Sequence, residues 1–146
     1  DEHYWRNTIG TPTQNSWYGL AFERACMSHI PEIKQALHLD TIHCEYYSWK
    51  SSESTPAAQI DLLLDRADGI ITICEMKYSR TKYMLNKSEY EKIWNRINTF
   101  VSETGTHHGI QVVMVTTIGL KENTYSHELS SRIVTLNDLF KDIPDY

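Results

Sequence analysis

A chain of 146 residues, 40% apolar and 11% aromatic, is long enough for one domain with one core and too apolar to be disordered. No run approaches the roughly 18–20 apolar residues of a membrane span. The formal charge of −5 argues against a protein that coats nucleic acid by bulk electrostatics. The opening residues, Asp1-Glu2-His3-Tyr4-Trp5, carry neither a signal-peptide pattern nor an initiator Met. Tag removal, processing and excision from a longer protein are all compatible with that start. Cys26, Cys44 and Cys74 are odd in number, far apart and without a C-x-x-C pair. Both a zinc knuckle and a disulfide framework are therefore unexpected, and a reducing compartment, the cytoplasm, is expected.

In chain order, Asn15 or Ser16 is placed to cap a helix through WYGLAFERACMSHI that stops near Pro31. A second short helix, PEIKQALHL, has Pro31 at a permitted first-turn position. Residues 43–50, HCEYYSWK, read as an aromatic strand, and SSESTPAA as a polar connection. QIDLLLD (59–65) and IITICEMKY (70–78) read as two strands of a hairpin. A helix is predicted over 88–103, with Tyr90, Ile93, Trp94, Ile97, Phe100 and Val101 on one face and Gly105 closing it. GIQVVMVTTI (109–118) is near-continuously apolar, as in a strand buried on both faces. RIVTL is a short last strand, and Asn137 is placed to cap a small helix, DLFKDI. The order α, β-β-β, α, β, (β), α predicts a single α/β domain over residues 1–146, with a central mixed sheet flanked by helices.

The hairpin carries the chemistry. Side chains alternate along a strand, so Glu75 and Lys77 share a face. A three-residue loop, Ala67-Asp68-Gly69, with Gly69 in the left-handed position, pairs Arg66 with Ile70 and Asp61 with Glu75. Cross-strand neighbours have Cβ atoms about 4.5–5.5 Å apart, so two such carboxylates can share one hard cation, Mg²⁺ or Mn²⁺. A metal at a phosphodiester acts as a Lewis acid and acidifies a water. Lys77 can orient or deprotonate that water, or stabilise phosphoryl charge. Equally, an amphipathic strand can carry Asp, Glu and Lys on a solvent face, with Lys77 a plain counter-ion.

Asp61 followed by Glu75-Met76-Lys77 at the end of an apolar strand resembles the PD-(D/E)XK nuclease superfamily, whose restriction-endonuclease-like core runs α-β-β-β-α-β. GLAFERACMSHI, QIDLLLDRADGIITICEMKYS and YMLNKSEYEKIWNRINTF further resemble the C-terminal nuclease-like domain of bacterial and archaeal AAA-like (DEXX-box) ATP-binding proteins, across most of residues 4–143. The sequence has no G-x-x-x-x-G-K-[ST], so the ATPase portion that the resemblance implies lies outside this chain. Gln59-Ile60-Asp61 departs from the nominal motif by lacking its Pro. The resemblance implies Mg²⁺-dependent hydrolysis of DNA, an endonuclease-like activity, with Asp61, Glu75 and Lys77 catalytic. Glu23, the matching acid of the first helix, would complete the metal site with Asp61 and Glu75; otherwise it points outward and pairs with Arg24 or a neighbour. Lys87 and Tyr90 match substrate-binding positions of the helix after the hairpin. A catalytically silent module that binds nucleic acid or docks a partner is the alternative.

Residues 77–96 hold six cations, Lys77, Arg80, Lys82, Lys87, Lys92 and Arg96, against Glu89 and Glu91. They are either a strip that tracks a nucleic-acid backbone or a solvated helix face. Gln59 falls opposite Lys77, as edge polarity or near the site's water. His107-His108 reads as a turn, because adjacent histidines point apart, and Asp65 as solvent-exposed. Trp17, Trp94, Tyr46 and Tyr47 can stack bases, but their spacing is that of core aromatics.

Overall fold

Helix α1 (Pro12–Met27) opens the computed structural model, which describes residues 12–130 and 132–141. The helix is already formed at Pro12, a residue suited to a first turn, so Asn15 and Ser16 lie inside it and do not cap it. Residues 4–11 and 142–143 of the resembling stretch, and the end of the expected last helix, lie outside the described residues. α2 (Ile30–Ala36) follows, with Pro31 in its first turn. Phe22 and Cys26 of α1 and Ile30 and Ile33 of α2 are buried, one turn apart along each helix.

Five strands form one mixed sheet in the order β1-β2-β3-β4-β5. They are β1 (Cys44–Lys50), β2 (Gln59–Arg66), β3 (Ile70–Lys77), β4 (Gly109–Thr116) and β5 (Arg132–Thr135). β1, β2 and β3 pair antiparallel; β4 and β5 add parallel. Gly69 takes φ +85°, its N–H donates to the Arg66 carbonyl at 3.2 Å, and the ladder runs from Asp65↔Ile71 to Leu62↔Cys74. The hairpin thus has the three-residue loop and the parity that Gly69 predicts.

Apolar side chains of alternating strand positions fill two cores. On one side, Cys74 and Met76 of β3 and Val113 and Val115 of β4 pack against α1, α2 and Leu139. On the other, Ile71 and Ile73 of β3 and Val112 and Met114 of β4 pack against Ile93, Ile97 and Phe100. These three belong to α3 (Lys87–Thr104). Asn86 caps α3 by accepting the Glu89 N–H, and Gly105 at φ +66° ends it. β4 is buried on both faces because helices cover both.

Two short helices differ from expectation. α4 (Thr124–Leu129) was not expected; Asn123 and Ser126 start it with a reciprocal capping box. α5 (Leu136–Leu139) is capped by Thr135 with Asp138, not by Asn137, which lies within it. The chain passes from β5 directly into α5, so the last strand residue becomes the cap. Among the described residues no helix is long and apolar enough to cross a membrane.

Candidate functional site

Glu75 and Lys77 stand at the far end of β3, on the side that α3 covers. Glu75 is 8% exposed, and burial pushes its carboxyl above the ordinary range, with the Arg96 guanidinium and then Lys77 pulling it back. Arg96 Nη2 donates to Glu75 Oε2 at 2.8 Å. Lys77 Nζ lies 3.4 Å from Glu89 Oε2. Both partners come from α3, so the helix that covers this face also neutralises its charges.

Asp61 is placed less simply than hairpin parity predicts. Continuing the β2–β3 register beyond Leu62↔Cys74 sets it opposite Glu75. On the other edge of β2, however, the register slips by one residue between Tyr47↔Leu63 and Trp49↔Ile60. Ile60 packs in the α3-side core and Leu62 in the α1-side core, although regular alternation would put both on one face. The slip falls at Asp61, the signature of a β-bulge, which re-aims a side chain. Gln59 Nε2 donates to Asp61 Oδ1 at 2.9 Å, so Gln59 serves this carboxylate. Asp61 also repels both Glu75 and Glu23, so it lies within electrostatic reach of each.

Glu23 belongs to α1, on the opposite side of the sheet, yet it lines one open groove of about 970 Å³ with Gln59, Asp61, Lys92 and Arg96. It also lines the neighbouring depression with Lys77, Ser79 and Arg80. Two helices from opposite faces therefore both contribute side chains to the groove at the open end of the hairpin. Burial raises the Glu23 carboxyl, Asp61 adds to the rise, and Lys77 opposes it. Glu23 is thus a part-buried carboxylate at the groove, with no ion pair to Arg24 among the described residues.

The acids are near one another but not assembled: among the described residues no group of three or more His, Cys, Asp or Glu is arranged to hold an ion. Glu75 is turned to Arg96 and Asp61 to Gln59. The donor chemistry nevertheless suits a hard divalent cation, since Glu23, Asp61 and Glu75 offer only carboxylate oxygen. Burial, and then repulsion by Asp61, raise the carboxyls of Glu23 and Glu75, and a cation already stands at Glu75, the Arg96 guanidinium.

The other expected residues divide. Lys87 is exposed and 4.0 Å from Glu91. The Tyr90 hydroxyl donates to Glu128 Oε2 at 3.1 Å and its ring packs against Trp94 and Tyr125. Neither residue lines the groove. In the basic strip, Lys77, Lys87, Lys92 and Arg96 pair with Glu89, Glu91, Glu89 and Glu75, which makes most of it a charge-balanced helix face. His107 and His108 lie in the loop before β4, with His108 Nδ1 3.6 Å from a part-buried Asp65. Trp17, Tyr46 and Tyr47 are 63, 60 and 52% exposed, which corrects their reading as core aromatics. The two tyrosines point to opposite faces of an edge strand and are exposed on both. Trp94 is part-buried against the α3-side core, as expected.

Sequence reasoning missed two features. Arg96 is one of six cations on one stretch, and nothing local says which of them meets Glu75. Glu103 pins residues 51–54 to the end of α3: its carboxylate accepts from Ser51 Oγ at 2.6 Å and from the Ser52 N–H at 2.8 Å. Ser54, Pro56 and Ala58 of that connection form the far wall of the groove.

No family model matches the chain, and no curated protein matches it. The crystal structure of AF1548, a protein of unknown function, superposes with a TM-score of 0.51 at 13% identity, over 81% of this chain and 64% of that one. At that identity the likeness concerns the fold. This chain spans less than two thirds of its neighbour.

Proposed function

We propose that this domain is a metal-dependent phosphodiesterase acting on DNA, of the PD-(D/E)XK type. One observation carries the reading: Glu23 and Asp61 line one groove, Glu23 and Lys77 line the depression beside it, and the buried Glu75 feels the charges of both Lys77 and Asp61. Burial, with Asp61 adding to it, holds the Glu23 and Glu75 carboxyls above their ordinary range, a perturbation that clusters at functional sites. Glu23, Asp61 and Glu75 would hold Mg²⁺ or Mn²⁺, with Glu75 exchanging Arg96 for the ion. When bound, the ion supplies Lewis-acid stabilisation of phosphoryl charge. Lys77, anchored beside Glu75, orients the attacking water or offsets charge on the phosphate. Gln59 holds Asp61 in place. The Ser54–Ala58 wall and α3 enclose the strand to be cut.

In this reading the domain is the C-terminal part of a cytoplasmic ATP-binding protein whose P-loop portion lies outside this chain. Its three free thiols suit a reducing compartment. DNA cleavage assayed with Mg²⁺ and with Mn²⁺ tests it. Wild type should cut, and Glu75→Ala and Lys77→Ala should each lose at least about 10²-fold, the usual scale for such groups. Equal cutting by all three proteins means contamination and ends the proposal.

One observation favours a second reading, a silent module that binds nucleic acid or docks a partner: Glu75 and Lys77 already have charge partners on α3. Thermal melting separates the two. A working site gains stability with millimolar Mn²⁺, and a silent one shows no shift.

A further inference from the structure

Arg96 is bound to Glu75 by one hand only. A single donor, Nη2, reaches a single oxygen, Oε2, whereas an arginine whose task is to neutralise a carboxylate commonly meets it with two parallel bonds. The Arg96 Nε–H is buried and has no partner among the described residues. A buried donor without an acceptor is rare and needs a reason. The same side chain lines the groove, one helical turn after Lys92, which lines it too. A guanidinium keeps its charge under all ordinary conditions, and its flat fork matches the paired oxygens of a phosphodiester.

We propose that Arg96 is an exchangeable counter-ion that becomes a substrate contact. While the acids lack an ion, Arg96 is the hydrogen-bond partner of the Glu75 carboxyl. When a divalent ion takes Glu75, the fork is released and grips the non-bridging oxygens of a phosphodiester in the groove, using the Nε–H that now has no acceptor. The inference rests on the nuclease-type reading of the site. It singles out one phosphate-binding residue from the six cations of residues 77–96, and it makes metal loading and strand binding successive claims on one side chain.

Arg96→Gln and Arg96→Lys, each first checked for a native circular dichroism spectrum, test it by two readouts that need no cleavage. The first is Mn²⁺ affinity by calorimetry without nucleic acid. The second is affinity for a fluorescent DNA oligonucleotide in Ca²⁺. Arg96→Gln removes a cation that competes for Glu75, so Mn²⁺ should bind at least about threefold tighter, while the oligonucleotide binds at least about tenfold weaker. Arg96→Lys keeps the charge but not the fork; Mn²⁺ affinity should stay near wild type while oligonucleotide binding falls. Opposite movement of the two affinities in Arg96→Gln is the signature. Unchanged or weaker Mn²⁺ binding, or unchanged oligonucleotide binding, overturns the role of Arg96 and leaves the metal site standing. If wild type binds no Mn²⁺ at all, the proposal falls together with the reading it rests on.

Discussion

Replacing Arg96 by Met should convert a satisfied buried acid into an unsatisfied one, and the loss should depend on pH. Glu75 is 8% exposed and Arg96 supplies the only hydrogen bond to its carboxylate, at 2.8 Å, among the described residues. Breaking a buried pair by removing one partner destabilises by about 3–5 kcal/mol. Here the arginine side chain is 26% exposed, Lys77 remains nearby, and Glu75 can take a proton. A loss of about 1–3 kcal/mol near pH 8 is therefore expected, or roughly 3–10 °C in melting temperature for a chain of this size. The sign follows from linkage. Burial already raises the folded carboxyl above its unfolded value, so protonated Glu75 favours the folded state. Stability on its account is greatest below the unfolded pKa and declines as pH rises through the folded one. Without Arg96 the folded value climbs further, so the penalty should be small near pH 4.5 and grow towards pH 8. Urea denaturation of both proteins at those two pH values measures it, and Glu75→Gln in the variant should recover most of the loss. A penalty of equal size at both pH values would refute the reasoning, because ordinary packing loss has no such slope.

Gly69→Ala should destabilise by about 1–2 kcal/mol: there is open space for the methyl group, but φ +85° is a left-handed conformation that L residues resist. Calorimetry reads this directly, and an unchanged melting temperature would mean the turn adopts another form. Burial pushes the Cys26 and Cys74 thiols up to about 12, so a thiol reagent at pH 8 should label part-buried Cys44 first and the other two only on unfolding. Rapid labelling of all three would contradict their burial. Glu103→Gln should loosen the β1–β2 connection, seen as faster amide exchange at Ser52 and Ser54. The Ser51 and Ser52 donors hold this carboxyl below its ordinary value, so the support it gives is present above the unfolded pKa and lost as pH falls through the folded one.

What could be read in advance was what is settled locally. β3 and β4 are legible because runs such as Ile70–Lys77 have few other ways to be buried. The hairpin register is legible because Gly69 admits one loop type. The heading of Asp61 is not legible, since its bulge arises where Trp49 of β1 meets Ile60, a pairing between segments with no shared pattern. The Arg96–Glu75 bond joins residues 21 positions apart across two elements and leaves no local trace. α4 escaped because TYSHEL is short and mostly polar, although Asn123 and Ser126 stood in view as a cap. Tyr46 and Tyr47 look like core residues because composition tells how apolar a strand is, not whether anything lies over it.

The groove draws its walls from two layers that otherwise meet only through the sheet. A ligand seated there would act as a rivet, tying the helix that backs one side to the helix that backs the other. Distortion of α1 alone, by a neighbouring domain or a bound protein, would draw Glu23 away and disable the notch while leaving every strand in register.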